Sequence, residues 1–377
     1  MKPPFKLTLF TTTILLPLTL AECECGFSVN RTDSEHFGLF TDMLETDFLH
    51  AINVTSTSVG TTGWRPQVYD TSAEDSSGPC GTSKQLGNVI ANPLPAGQWG
   101  GAPASVGDAG LQLWVRHEVE RGLVPVAEVA GPHPDMLYGS FRAAIKFSAM
   151  NGTCGAFFWY RNDSCEIDIE FLSNDTSAVE LVVHTDQPGE ESFGPGSDKS
   201  AGSNRFGSIM DLPDGFHEMR FDWLPDRVDY YIDGMLTMTA RDKVPHTKGH
   251  LMLSHWSNGN EGWSGGPPLQ DAVMTVGYVK AYFNTTSRDE PKAGCRSLEE
   301  PGSVCEIPTQ HTPPIGDGDW THFFTIPRPK NSERDHARGS GEFAYGKSSA
   351  SRPSVGVWLV FIVTWILRKA LMDLLAL

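Results

Sequence analysis

The sequence predicts an all-β protein built on a two-sheet sandwich that occupies residues 25–284 of the 377. Three observations lead there. Short runs rich in β-branched and aromatic residues recur along this span, separated by Gly, Pro, Asn and Asp. No stretch of about a dozen residues keeps a helical period of 3.6. No internal repeat divides the span, so the evenly spaced strands belong to one domain.

Taken in order, the chain opens on Lys2 and Lys6 followed by the apolar stretch "LTLFTTTILLPLTLA", with Thr19 and Ala21 at small-residue cleavage positions. Residues 1–21 therefore read as a secretory signal peptide. The strand-like runs follow as "LQLWVRHEV", "YGSFRAAIKFS", "CGAFFWY", "CEIDIEF", "AVELVVHTD", "HEMRFDWL", "RVDYYIDGML" and "VMTVGYVKAYF". Residues 285–354 are rich in Pro, Gly, Ser and charge without sustained periodicity and read as a disordered linker. The end, 355–377, carries "VGVWLVFIVTWIL" before Arg368 and Lys369. Two readings stay open for it. It is a single-pass anchor with a basic cytosolic flank, or a removable lipid-anchor signal with small residues at Gly339–Gly341 or Ser348–Ala350.

Composition narrows the partners. A formal net charge of −17 excludes a polyanion such as nucleic acid and is compatible with a neutral polysaccharide. Asn30, Asn53, Asn151, Asn162, Asn174 and Asn284 each begin an N-x-Ser/Thr sequon, which beside a signal peptide predicts a secreted or cell-surface glycoprotein. The seven cysteines should mostly pair in that compartment, the odd count leaving one over, with Cys295–Cys305 as a local bridge. No cysteine pair has zinc-ligand spacing, so no metal or other cofactor is expected. The protein is expected to act as a monomer.

"CEIDIEF" (165–171) is the run that carries chemistry. On a strand, positions two apart share a face, so Glu166, Asp168 and Glu170 line one side while Ile167, Ile169 and Phe171 pack on the other. The link "RNDS" suits a hairpin with "CGAFFWY"; pairing Tyr160 with Cys165 sets Trp159 opposite Glu166, Phe157 opposite Asp168 and Gly155 opposite Glu170. Aromatic faces beside carboxylates suit a sugar ring. Two glutamates flanking one bond are the equipment of a retaining glycosidase, and a carboxylate between them pushes their pKa values apart. A charged, solvent-facing edge strand shows the same alternation. A calcium site fits poorly, because calcium takes its ligands from loops.

"EIDIEF" resembles the E-x-D-x-E signature of glycoside hydrolase family 16, which includes lichenases, laminarinases and fungal wall-remodelling transglycosylases. "LYGSFRAAIKFSAMNGTCGAFFWYRNDSCEIDIEFLS", "FHEMRFDWLPDRVDYYIDGMLTMT" and "GHLMLSHWSNGNEGWSGGPP…VMTVGYVKAYFN" look like that family's strands around and after the motif. The resemblance implies a concanavalin A-like jelly-roll sandwich. It implies Glu166 as nucleophile, Asp168 as assisting carboxylate and Glu170 as general acid/base. Phe157, Trp159, His184, Trp256, Asn258 and Trp263 are candidate cleft residues. His184 also reads as a hydrogen-bonded structural histidine, and Trp223 reads as core. The implied activity is hydrolysis of β-1,3- or mixed-linkage β-glucan. Transglycosylation of wall glucan or chitin, or lectin-like binding without chemistry, are the alternatives. Wall-remodelling transglycosylases carry a "DEIDxEW"-like form, from which Cys165 and Phe171 depart.

Overall fold

The structure is a computed structural model, and it describes residues 23–30, 35–185, 204–207, 211–285, 294–299 and 302–307. The expected signal peptide, the anchor and most of the linker lie outside these residues. Among the described residues no helix is long and apolar enough to cross a membrane.

Two large sheets form the sandwich, as the alternating runs require. The first has nine strands and runs Asn204–Gly207, Ala178–His184, Cys165–Leu172, Cys154–Asn162, His250–Trp256, Leu123–Ala130, Gly81–Lys84 and Tyr69–Thr71, with Arg65–Pro66 pairing onto Leu123–Ala130. The second has eight and runs Met235–Ala240, Arg227–Ile232, His217–Leu224, Leu137–Lys146, Ala272–Asn284, Gly110–Val115 and Val89–Asn92, with Asp42–Asp47 alongside Ala272–Asn284. Neighbouring strands are antiparallel except for the parallel pair Gly81–Lys84 and Leu123–Ala130.

The core lies between the sheets. Ile167, Ile169 and Phe171 of the acidic strand are buried there, as are Leu181 and Val183 beside them and Leu251 and Leu253 beyond. Aromatic contacts join the two layers: Trp159 lies 4.5 Å from Trp223, Phe157 lies 5.4 Å from Phe221, and Phe147 stacks on Phe171 at 4.7 Å. Trp223 is core, as its run predicts. Gly155 faces this layer, and a Cβ there would come within 2.9 Å of both Met274 and Phe147, so the tight crossing of the sheets requires glycine.

A third, small layer closes the far side. Gly26–Val29 pairs antiparallel with Gly38–Phe40 and parallel with Val304–Glu306. Its Phe27, Val29 and Phe40, together with Ile307, pack on Leu224 and Tyr282 of the second sheet. Two disulfides, Cys23–Cys305 and Cys25–Cys295, hold it together. This corrects two expectations. Cys295 and Cys305 do not bridge each other, because the chain ends lie side by side and bring together cysteines 282 and 270 residues apart. The domain also continues past residue 284, since a strand from the expected linker joins it. Cys80, Cys154 and Cys165 remain free thiols.

Among the sequons, Asn53, Asn151, Asn162 and Asn174 are exposed. Asn30 is half-buried and donates to the His36 carbonyl at 2.8 Å. Asn284 is only 8% exposed; its Oδ1 accepts from the Thr41 amide and its Nδ2 donates to the Leu39 carbonyl. The folded domain therefore offers no room for a glycan at Asn284.

Candidate active site

The strand register builds the site. Directly opposed residues on neighbouring antiparallel strands point to the same side of a sheet. Glu166 stands between His184 and Tyr160, Asp168 between Val182 and Phe158, and Glu170 between Glu180 and Ala156. The rows continue through His250, Met252 and Ser254, and from there to Ala130 and Glu128. All of these face away from the core, so the three acids share the outward face that the alternation predicts.

The aromatic neighbours are not the predicted ones. The hairpin turns on Asp163 and Ser164 with Asn162 opposite Cys165, and an irregularity between Tyr160 and Asn162 absorbs Arg161. Tyr160, not Trp159, thus opposes Glu166, and Phe158, not Phe157, opposes Asp168. A slip of one residue sends every side chain to the other face. Phe157 and Trp159 are fully buried core residues, and Gly155 opposes Phe171 rather than Glu170.

The remaining candidates divide. His184 is brought to the acids: one donor atom each from His184, Glu166 and Asp168 lie within 4.8 Å of one another. Burial, with Lys243 nearby, holds the His184 imidazole below its usual pKa, hence neutral near pH 7. Trp256 is half-buried and faces outward opposite Cys154, beside the Glu170 end of the row. Trp263 is half-buried in the following loop, where its carbonyl accepts from Asn174 and its indole Nε1 is buried without a protein hydrogen-bond partner. Asn258 is not free for a ligand: it is 1% exposed, donates to the Ser76 carbonyl at 2.6 Å and accepts from the Asn260 amide.

Sequence reasoning missed the far part of the face. Glu128 is buried, accepts from the Tyr69 hydroxyl at 3.0 Å and hydrogen-bonds Ser254. Lys84 lies 4.4 Å from the Tyr69 ring centre and donates to Thr71 and Thr82. Tyr69 and Lys84 come from strands of three and four residues, too short and too polar to announce themselves, and only pairing across four strands aligns Glu128 of Leu123–Ala130 with Glu170.

Electrostatically the trio is under strain of like charge in a recess. Burial pushes Glu166 up to about 8, with the charges of Glu170 and Asp163 adding to it. Burial, then Glu166 and Glu170, push Asp168 well above the usual carboxylate range. Burial pushes Glu170 up to about 7, opposed by a hydrogen bond from Cys154 and reinforced by Glu180. Protons are therefore shared among the three at neutral pH, and they titrate as a unit. A protonated acid beside an ionisable one is what acid–base chemistry at a glycosidic bond needs. Glu166, Asp168 and His184 form the one group of three metal-ligand types found among the described residues. Their partial protonation and rigid strand setting fit proton exchange better than a cation.

The sequence matches the model of the family described as "Glycosyl hydrolases family 16" over residues 98–279. A β-glucanase of Paenibacillus macerans is 33% identical over 134 residues, which is 34% of this chain and 52% of the relative. A β-glucanase of Bacillus licheniformis is 30% identical over 153 residues, 38% of this chain and 58% of the relative. The chain thus spans little more than half the length of these relatives. Among solved structures, a β-1,3-1,4-glucanase (lichenase) derived from a mouse hindgut metagenome has a TM-score of 0.49 at 20% identity, covering 64% of this chain and 99% of that one. The Apo Crh5 transglycosylase has a TM-score of 0.45 at 17% identity, covering 65% and 86%. Residues 98–279 of this chain are thus similar to the glycosyl hydrolases of family 16.

Proposed function

We propose that the protein is a retaining glycoside hydrolase that cleaves β-glucan at the outward face of the acidic strand. The observation that carries this is the row of three carboxyls on one recessed face, flanked by Tyr160 and Phe158. Two glutamates four residues apart have Cα atoms about 13 Å apart on a strand, which long side chains leaning inward can span. Glu166, once ionised, attacks the anomeric carbon and forms a glycosyl–enzyme ester. Glu170 gives its proton to the departing glycosidic oxygen and then takes one from water as the ester is hydrolysed. Asp168 lies between the two on the same strand face and is the group that holds the shared proton while Glu166 is ionised. Tyr160 and Phe158 offer rings for the sugar's C–H faces, and neutral His184 offers hydrogen bonds beside the nucleophile.

The protein is also proposed to be a secreted, glycosylated monomer held at the cell surface by residues 355–377. The terminal layer, which holds residue 307, packs on the second sheet on the side opposite the acids. The test is incubation of the secreted protein with laminarin, lichenan and chitin oligomers, with product analysis by mass spectrometry and proton NMR. Shorter β-glucan products of retained anomeric form support the reading; no cleavage of either glucan overturns it.

A further inference from the structure

We infer that Cys154 is a positioning residue for the reaction: its thiol, buried against Glu170, fixes the carboxyl of the general acid/base and sets the pH at which it gives up its proton. The inference rests on the role proposed for Glu170.

Cys154 lies two residue pairs along from the Ala156–Glu170 pair, between Leu172 and Trp256, so its side chain points outward beside Glu170. Its Sγ is 3.5 Å from Glu170 Oε1, within hydrogen-bond reach for sulfur. The thiol is fully buried and makes no disulfide. Burial and the adjacent carboxylates keep it protonated, so the S–H donates and the carboxyl oxygen accepts. The indole of Trp263 also acts on this thiol, opposing its protonation less than burial and Glu170 favour it. Among the described side chains Cys154 is the hydrogen-bond donor to Glu170.

The other groups facing Glu170 push the opposite way. Glu180 on the next strand favours its protonated form, and Asp168 and Glu166 lie on its own strand face. Ala156 and Ser254 on the other side carry no charge. A donor to the carboxylate favours the ionised form, so the thiol is the brake that stops Glu170 from rising out of its working range. A weak donor is suited to this: a strong one would strip the acid of its proton before the glycosidic oxygen needs it.

The experiment compares the parent protein with Cys154→Ala, Cys154→Val and Cys154→Ser in two measurements. One is the pH profile of kcat and of kcat/KM on β-glucan. The other is carbon-13 NMR titration of labelled glutamate carboxyls, with Glu170 assigned by its loss in Glu170→Gln. Loss of the thiol in Cys154→Ala or Cys154→Val should raise the Glu170 midpoint and move the basic limb of the profile upward together, by about half a pH unit or more. It should cost kcat about threefold to tenfold with little change in KM. Cys154→Ser should restore the limb to the parent's position or below. A merely structural cysteine would lower stability and leave both midpoints in place. An active parent whose limb and midpoint ignore the loss of the thiol overturns this inference alone. A parent that cleaves no β-glucan overturns the reading beneath it.

Discussion

Glu166 and His184 stand directly opposite each other on adjacent strands, with donor atoms within 4.8 Å. The neutral imidazole beside a carboxyl pushed up to about 8 gives the nucleophile a partner that adds no compensating positive charge. Removing the Glu166 carboxyl leaves a small recess beside a protonated neighbour. Glu166→Ala should lose at least about a thousandfold in turnover, and azide should restore part of it as a glycosyl azide of inverted configuration. Proton NMR of the product checks this; a rescued product of retained configuration assigns the nucleophile elsewhere.

The raised carboxyls have a consequence for stability. A carboxyl whose folded pKa exceeds its unfolded value binds more protons in the folded state between the two values, so stability falls as pH rises across that window. For Glu166 the window runs from the usual 4.5 to about 8. Thermal unfolding should therefore show Tm declining from pH 5 to pH 8. Glu166→Gln should remove part of the decline, gaining about 1–3 kcal/mol at pH 8 and almost nothing at pH 4. A variant equally stabilised at both pH values would place the gain in packing rather than in ionisation.

The hairpin register separates two aromatic residues that are adjacent in sequence. Trp159 is fully buried against Trp223, so Trp159→Ala should destabilise the domain by about 3–5 kcal/mol. Tyr160 is half-buried on the outward face with its hydroxyl donating to Asp163 at 2.6 Å. Tyr160→Ala should cost little stability and raise KM for glucan several-fold, by removing a ring face from the sugar. Urea unfolding and steady-state kinetics on the two variants decide it; the reverse pattern would restore the register expected from loop length.

That pair also shows what the sequence can and cannot carry. The outward set Glu166, Asp168 and Glu170 is legible because a strand has period two and the intervening residues are Ile167 and Ile169. The partner's phase is not legible, because "CGAFFWY" is apolar on both faces and a single absorbed residue, Arg161, decides which aromatics turn inward. The bridges from Cys23 to Cys305 and from Cys25 to Cys295 depend on the chain ends meeting, which no local spacing encodes. Glu128 joins the site only through four paired strands, and Tyr69 only through its hydrogen bond to Glu128.

The two disulfides close nearly the same loop, with separations of 282 and 270 residues. Removing either alone leaves the other to constrain the unfolded chain, so the entropic loss is small. Cys23→Ser with Cys305→Ser, or Cys25→Ser with Cys295→Ser, should each cost about 1 kcal/mol. Removing both pairs should cost several, near the ~4–5 kcal/mol of one long loop. Calorimetry on the three variants tests the non-additivity, and glucan turnover at low temperature should be unchanged, since this layer packs on the sheet opposite the acids.

Glu170 and Asp168 differ in what they touch, and kinetics can tell them apart. A general acid is needed most when the leaving group is poor. Glu170→Gln should nearly abolish cleavage of glucan, yet retain glycosylation of the enzyme by an activated aryl glycoside whose leaving group needs no proton. Asp168 lies between its two neighbours, almost fully buried, and is pushed well above the usual carboxylate range by burial and by both of them. Asp168→Asn removes a site for the shared proton without removing the proton donor. It should slow both substrates by similar factors. It should also move the acidic limb of the profile to higher pH, because Glu166 loses the neighbour that takes up its proton as it ionises. Measuring both variants on both substrates across pH 4–9 gives four profiles. If Glu170→Gln depresses the activated and the natural substrate equally, proton donation belongs to another group, and His184 beside Glu166 is the next titratable side chain in reach.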